Sequence, residues 1–419
     1  MTVIVAGCAL AAPPIVAPVL STPSPSATSS PTPTPTISPT PTPPPTATPS
    51  ATPDPATPTP APLTPAPTPE LSCTERTLAS MTEAQRIGQL FMIGLMDDQL
   101  DAAERTAIAE FHFGSVAYTR RTARGAVADR VVADAVQAQA TLAATRGVRF
   151  LVAANQEGGL IQALSGPGFE AMPSALSQGT LAPAVLKANA ARWGSELRAA
   201  GINLDFAPVA DVVPSGTDAQ NAPIGQLQRE YGHDPATVSS HVAAFIAGMR
   251  QAGVATSVKH YPGLGRVAGN TDFTSAVSDT VTTRDDPYLA PFTTAVRAGV
   301  PFVMVSLATY VKIDPQHLAA FSPTVIAGML RHDLGYRGVV ISDSLGATAV
   351  ASIPPGTRAI DFIAAGGDMI IINQLTPAIA MAKAVAFGAA QSALFRARVD
   401  NAVLNVLRVK EAQGLLPCG

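Results

Sequence analysis

The sequence predicts an α/β fold, a (β/α)8 barrel, on three observations. From about residue 74 onward, eight apolar runs of strand length alternate with stretches of helical periodicity. Polar residues recur directly after those runs, at what would be one end of a parallel barrel. One run, starting at Val254, ends on a cation and an imidazole, Lys259 and His260. These open a loop containing Pro262, Gly263, Gly265 and Gly269. A barrel carries its chemistry on the loops at the carboxyl ends of its strands.

The eight runs are 90–95, 114–118, 150–154, 203–208, 255–259, 302–306, 338–342 and 369–372. Strands covered on both faces by helices read as continuous apolar stretches, as these do. Helical stretches at 186–200, 235–252, 323–334 and 357–365 lie between them. A last helix near 394–411 places Val399, Val403, Leu404 and Leu407 on one side. It is expected to pack on the barrel exterior and close the domain. Trp193, the only tryptophan, shares a helical pattern with Leu186 and Leu197 and is read as core.

Three regions are expected: 1–12, 13–72 and the barrel at 73–419. The chain opens MTVIVAGC, and Val5-Ala6-Gly7-Cys8 resembles a lipobox, with Cys8 as the lipidation position. The positively charged start of a secretory signal is missing, so the stretch reads as the tail of such a signal. The other reading is an incidental cysteine. Residues 13–72 are rich in Pro, Thr and Ser, with almost no charge and no apolar face, and cannot bury a core. Extended as polyproline II at roughly 3.1 Å per residue, they would reach on the order of 150 Å. That length suits an exported, wall-associated domain tethered at a cell surface. Cys73 and Cys418 bracket the barrel, whose first and last elements are neighbours once it closes. A disulfide between them is expected in an exported protein.

The bulk numbers exclude other classes. A net charge of −3 with 14% charged residues gives no electrostatic footprint for nucleic acid. No apolar run is long enough to span a bilayer, so membrane contact would come only through the N-terminal anchor. His233 and His241 stand eight apart without partner cysteines or clustered carboxylates, so neither a metal nor a cofactor is expected. The glycines after Pro262 lack the strand–turn–helix setting of a dinucleotide loop.

What remains is a polar pocket. Strand three ends in Asn155-Gln156-Glu157-Gly158-Gly159, and strand four runs through Asp205 to Asp211. Strand five ends in Lys259-His260 and strand seven in Ser342-Asp343-Ser344. Any one carboxylate could cap a helix, Asp211 or Asp343 for example. Their shared register at strand ends favours one site.

Several spaced motifs then resemble glycoside hydrolase family 3, in its single-domain β-N-acetylhexosaminidase branch. They are NQEGG (155–159), FAPVADV (206–212), NAPIG (221–225), REYGHDP (229–235), KHYPGLG (259–265) and VVISDSLGA (339–347), in that order. The similarity covers about residues 76–413. It implies a retaining mechanism with Asp343 as the nucleophile and a second catalytic group close by, about 5 Å away when both are carboxylates. Lys259, His260 and Arg229 match sugar-binding positions, as does Asn155 at a position that is usually Asp, and Asp211 is placed with them. The implied partner is an amino-sugar glycan, plausibly derived from peptidoglycan.

The chain departs from that family in one loop. The usual Asp-x-His pair, whose histidine is the general acid/base, is here Asn270-Thr271-Asp272, and Leu264 replaces the second histidine of the glycine loop. Arg229 also lies two residues further from Ile224-Gly225 than is usual. Three readings follow. Asp272 serves as acid/base with a raised pKa; the sugar's acetamido group or Glu157 assists; or the barrel binds glycans without turnover. The first is the reading adopted, with Asp343 and Asp272 as the catalytic pair.

Overall fold

The computed structural model describes residues 70–418, so Cys8 and the tract before residue 70 lie outside the described residues. Eight parallel strands form the barrel: β1 (Phe91–Leu95), β2 (Ser115–Tyr118), β3 (Leu151–Ala154), β4 (Leu204–Asp205), β5 (Ala255–Tyr261), β6 (Phe302–Val305), β7 (Val339–Ser342) and β8 (Ile370–Ile372). Neighbours pair in chain order, and β1 pairs with β8. Ile341 bridges Met369, and Ser342 N–H donates to Met369 O at 2.9 Å, which closes the ring between β7 and β8. Each of the eight expected runs coincides with one strand, and β5 continues two residues past its expected end, to Tyr261.

Side chains of one parity fill the interior. Met92, Ala117, Leu151, Ala153, Leu204, Phe206, Ala255, Phe302, Met304, Val339, Ile341 and Ile371 form the inner cluster. The other parity, including Ile93, Val116, Val152, Val258, Val303 and Val340, packs under the surrounding helices. This double burial is why the strands read as unbroken apolar runs. β4 is short, and its predecessor Asn203 accounts for part of that. Its side chain accepts from Val152 N–H at 2.8 Å and donates to Phe150 O at 3.0 Å, taking over the ladder beside β3.

Helix signals in the sequence are met locally. The helix Pro235–Gln251 starts with Asp234, which accepts from Ala236 and Thr237 N–H, and with proline at the first turn. In the helix Pro183–Ala199, Trp193 is buried with Leu186 and Leu197, in the core as expected.

The last helix, Ala393–Ala412, does more than pack outside. Val399, Val403 and Leu407 join the outer core, as expected. Val406, Val409 and the following Leu415 join the inner cluster, so the helix covers the end of the barrel where the strands begin. Arg149 N–H, just before β3, donates to Leu415 O at 2.8 Å. Lys410 is fully buried there and donates to Gln89 Oε1 and Gly114 O, both at 2.7 Å. Burial pushes its amine down to about 7.

Cys73 and Cys418 are joined in a disulfide, their Cα atoms 6.0 Å apart. It ties the first helix, Cys73–Ser80, to the residues after the last one. Closing so long a loop should stabilise the fold by a few kcal/mol, about 2–4 in typical cases. Replacing both cysteines by serine is expected to lower the thermal midpoint by several degrees without loss of turnover. A calorimetric scan showing no shift would remove that contribution.

Candidate active site

The site lies at the carboxyl ends of the strands, where a cavity of about 430 Å³ opens. Asn155, Arg229, Lys259, His260, Asp272 and Asp343 all line it. The structure therefore brings together six of the seven expected catalytic and binding residues. Asp211 does not reach the cavity.

Asp343 follows β7 directly. Its N–H donates to Val305 O at 3.0 Å, which continues the pairing with β6 and fixes the backbone under the cavity. One carboxylate oxygen accepts from Ser344 N–H at 2.8 Å. The other accepts no hydrogen bond among the described residues, so it is free to face a ligand.

Lys259 and His260 end β5, joined by a cis peptide bond. Lys259 Nζ donates to Asn155 Oδ1 at 2.6 Å and lies 2.6 Å from Glu157 Oε1. Arg229 grips the same Glu157 with two hydrogen bonds of 2.8 Å, through Nε and Nη2. Glu157 thus stands between two cations. Burial opposes its charge, but Arg229 and Lys259 outweigh that and hold its carboxyl down at about 2. Removing one member of such a buried set typically costs about 3–5 kcal/mol. Glu157 is therefore an anchor for the two cations and stays ionised, which rules it out as a proton donor near neutral pH. The reading that gave it a share in acid catalysis is corrected on this ground.

Asp211 is likewise an anchor. It is fully buried, and its Oδ2 lies 2.7 Å from His260 Nδ1. Its Oδ1 accepts from Leu264 N–H at 2.7 Å and from His260 N–H at 3.2 Å. The carboxylate thus favours a proton on Nδ1, leaving Nε2, 3.4 Å from Arg229 Nη2, to accept. The expectation of direct sugar contact by Asp211 fails because its strand end turns it under the loop. It positions His260 and the glycine loop and caps no helix.

The glycine loop sits close because it must. A Cβ on Gly265 would meet Val212 O at 1.9 Å, so no other residue allows this approach. Tyr310 hydroxyl donates to Gly263 O at 2.7 Å from the far side. Arg266 turns away from the cavity to Asp286, at 2.6 Å, and lies over the ring of Tyr288. Beyond it, Asn270 Oδ1 accepts from Asp272 N–H at 2.9 Å, and Asn270 O accepts from Phe273 and Thr274 N–H. This turn docks on the segment after Asp343: Ala349 N–H donates to Thr271 O and Thr348 N–H to Asp272 O. The two catalytic candidates share one backbone frame.

Asp272 remains accessible to solvent, yet its carboxyl is shifted up. The larger cause is loss of hydration within the cavity mouth, and the second is the negative charge of Asp343. Both favour the protonated acid.

The cavity also takes residues that sequence reasoning passed over. Thr119 and Asn373 add polar groups beside the expected Ser344, while Ala117, Phe206, Met304 and Ile371 give an apolar floor. Thr119 and Asn373 each stand one residue beyond a strand, so the strand-end rule applied to β2 and β8 would have found them.

A barrel with a free carboxylate under a polar cavity, a second carboxyl held toward its acid form, and two cations lining the same cavity has the parts of a glycosidase site. Residues 82–409 match the family described as glycosyl hydrolase family 3 N terminal domain. The chain belongs to glycosyl hydrolase family 3, and it is a glycosidase. It is 31% identical over 297 residues to a Beta-hexosaminidase of Stenotrophomonas maltophilia, covering 68% of this chain and 83% of that one. The structure of a beta-N-acetylhexosaminidase from Beutenbergia cavernae superimposes with a TM-score of 0.77 at 46% identity, covering 79% of this chain and 99% of that one. A family 3 beta-N-acetylglucosaminidase from a Paenibacillus species is similar at 29% identity and a TM-score of 0.71. That match covers 80% of this chain and 63% of the other.

Proposed function

We propose that this chain removes terminal β-linked N-acetylhexosamine by a retaining mechanism, through a glycosyl ester on Asp343. The observation that carries the mechanism is the carboxylate pair. Among the described residues lining the cavity, the acidic groups are Asp343 and Asp272, and the charge of the first helps keep the second protonated. Asp343 attacks the anomeric carbon while Asp272 delivers its proton to the departing oxygen. Asp272 then takes a proton from the water that cleaves the ester. Lys259, Arg229, His260 and Asn155 bind hydroxyls, and Asp211 and Glu157 hold them in place.

The choice of an N-acetylated sugar rests on the names of the relatives, and a peptidoglycan-derived source rests on the N-terminal tract. That tract, with Cys8, supports a surface lipoprotein held in the wall.

The test is release of chromophore from aryl β-N-acetylglucosaminide and aryl β-glucoside from about pH 4 to 8. The expected result is turnover of the first at a kcat/KM well above the second. The rate should fall as pH rises through the raised pKa of Asp272, because the proton donor is then lost. No release from either sugar would replace this reading by glycan binding without turnover.

A further inference from the structure

The geometry points to a divalent transition-metal site formed by Asp218, Glu230 and His233, within the loop that carries Arg229. One ligand atom from each lies within 4.8 Å of the others. Small side-chain rotations would bring that spacing to metal–ligand bonds of roughly 2.0–2.2 Å. The sequence expectation that no carboxylates cluster with His233 is thereby corrected. His241, the other histidine considered, is buried elsewhere, its ring nitrogens against Thr237 O and Leu181 O.

An independent observation points to a ligand. Glu230 is 0% exposed, and among the described residues no donor reaches either of its carboxylate oxygens. Asp218 Oδ1 is also without one. The charged groups acting on Glu230 are themselves acidic: Asp218, whose carboxyl is close enough to hydrogen-bond it only when one of the two carries a proton, and Asp211. A buried carboxylate with no donor and no counter-charge is costly, and a cation between these side chains would satisfy all three. His233 Nδ1 stands 3.7 Å from Asp218 Oδ1; its present hydrogen bond to Val213 O, at 3.2 Å, would be exchanged for the metal. Two carboxylates and an imidazole suit Zn²⁺ or Mn²⁺ better than the hard cations, which favour oxygen throughout.

The placement suggests what the ion would do. Between Asp218 and Glu230 the chain passes Asn221, which donates to Leu264 O at 2.7 Å and Val267 O at 2.8 Å of the glycine loop. It then reaches Arg229, adjacent to Glu230, which grips Glu157 in the cavity. A metal joining Asp218 to Glu230 and His233 would clamp both ends of this loop and so position Arg229. That consequence rests on the proposed function; the binding itself does not.

The experiment is calorimetric titration of the untagged full chain, stripped with a chelator, with zinc chloride and with manganese chloride. One saturable site is expected, with a raised thermal midpoint. Glu230→Gln and the partly exposed Asp218→Asn should each weaken binding by about tenfold or more, while Asp343→Asn leaves it intact. Absence of saturable binding to the wild type overturns the site. So does binding that survives both loop variants and is lost in Asp343→Asn, which would place the ion in the sugar cavity. Removing the metal should raise KM several-fold with kcat little changed; an unchanged KM would overturn the clamp. Failure of the functional reading looks different: no turnover with or without metal, and an unaffected titration.

Discussion

Asp343→Asn is expected to lower turnover of an aryl N-acetylhexosaminide by at least about 10³-fold while leaving the fold unchanged. The amide is isosteric with the carboxylate, and the side chain is half-buried, so stability should move by less than about 0.5 kcal/mol. The Asn can still accept from Ser344 N–H through its oxygen, as Asp343 does at 2.8 Å. What it loses is the oxygen proposed as nucleophile, which meets no partner among the described residues. No glycosyl ester can then form. The measurement is steady-state turnover beside a thermal scan of the same sample. Retained activity with an unchanged midpoint would remove Asp343 as the nucleophile, and with it the covalent intermediate. A second effect separates nucleophile from general electrostatic loss. The variant removes the charge that helps keep Asp272 protonated, so the pKa of Asp272 should fall.

Much of this arrangement is legible in the sequence. The eight strands were readable because both faces of each are buried, which leaves unbroken apolar runs such as Val339 to Ile341. Lys259, His260 and Asp343 were readable because each stands at the end of such a run. Direction beyond the strand end was not. Asp211 and Glu157 follow strand ends like the others, but the chain there turns, and they bond His260 and Arg229 in place of a ligand. Sequence patterns give no sign of that, since Glu157 and Arg229 are 72 residues apart. Arg229 lies two residues further from Ile224-Gly225 than the resemblance implies. The segment coils through a short turn at Gly225–Leu227, and Arg229 still reaches the cavity. Lys410 stands in the last turn of a helix, where a cation is ordinary. Its burial under the barrel depends on the helix capping the strand entrances, which no periodicity records.

The replacement of the usual histidine by Asp272 makes the second large prediction. Asp272→Ala should slow hydrolysis of a substrate with a poor leaving group by about 10²–10⁴-fold, the range a general acid supplies. An activated aryl leaving group departs without protonation, so its ester-forming step should be nearly unaffected. The second step still lacks its base, and the ester should accumulate as a burst of chromophore. Azide, which needs no deprotonation, should restore turnover and give the β-glycosyl azide. The physical basis is the mutual dependence of the two carboxyls. While Asp343 is charged, it helps hold Asp272 in the acid form that the first step needs. Once Asp343 is esterified that charge is gone, the pKa of Asp272 falls, and the same group becomes the carboxylate base of the second step. The alkaline limb of kcat/KM should therefore disappear in Asp272→Ala. Equal losses for good and poor leaving groups, with no azide rescue, would assign the proton to another donor, the acetamido group of the sugar being the next to test.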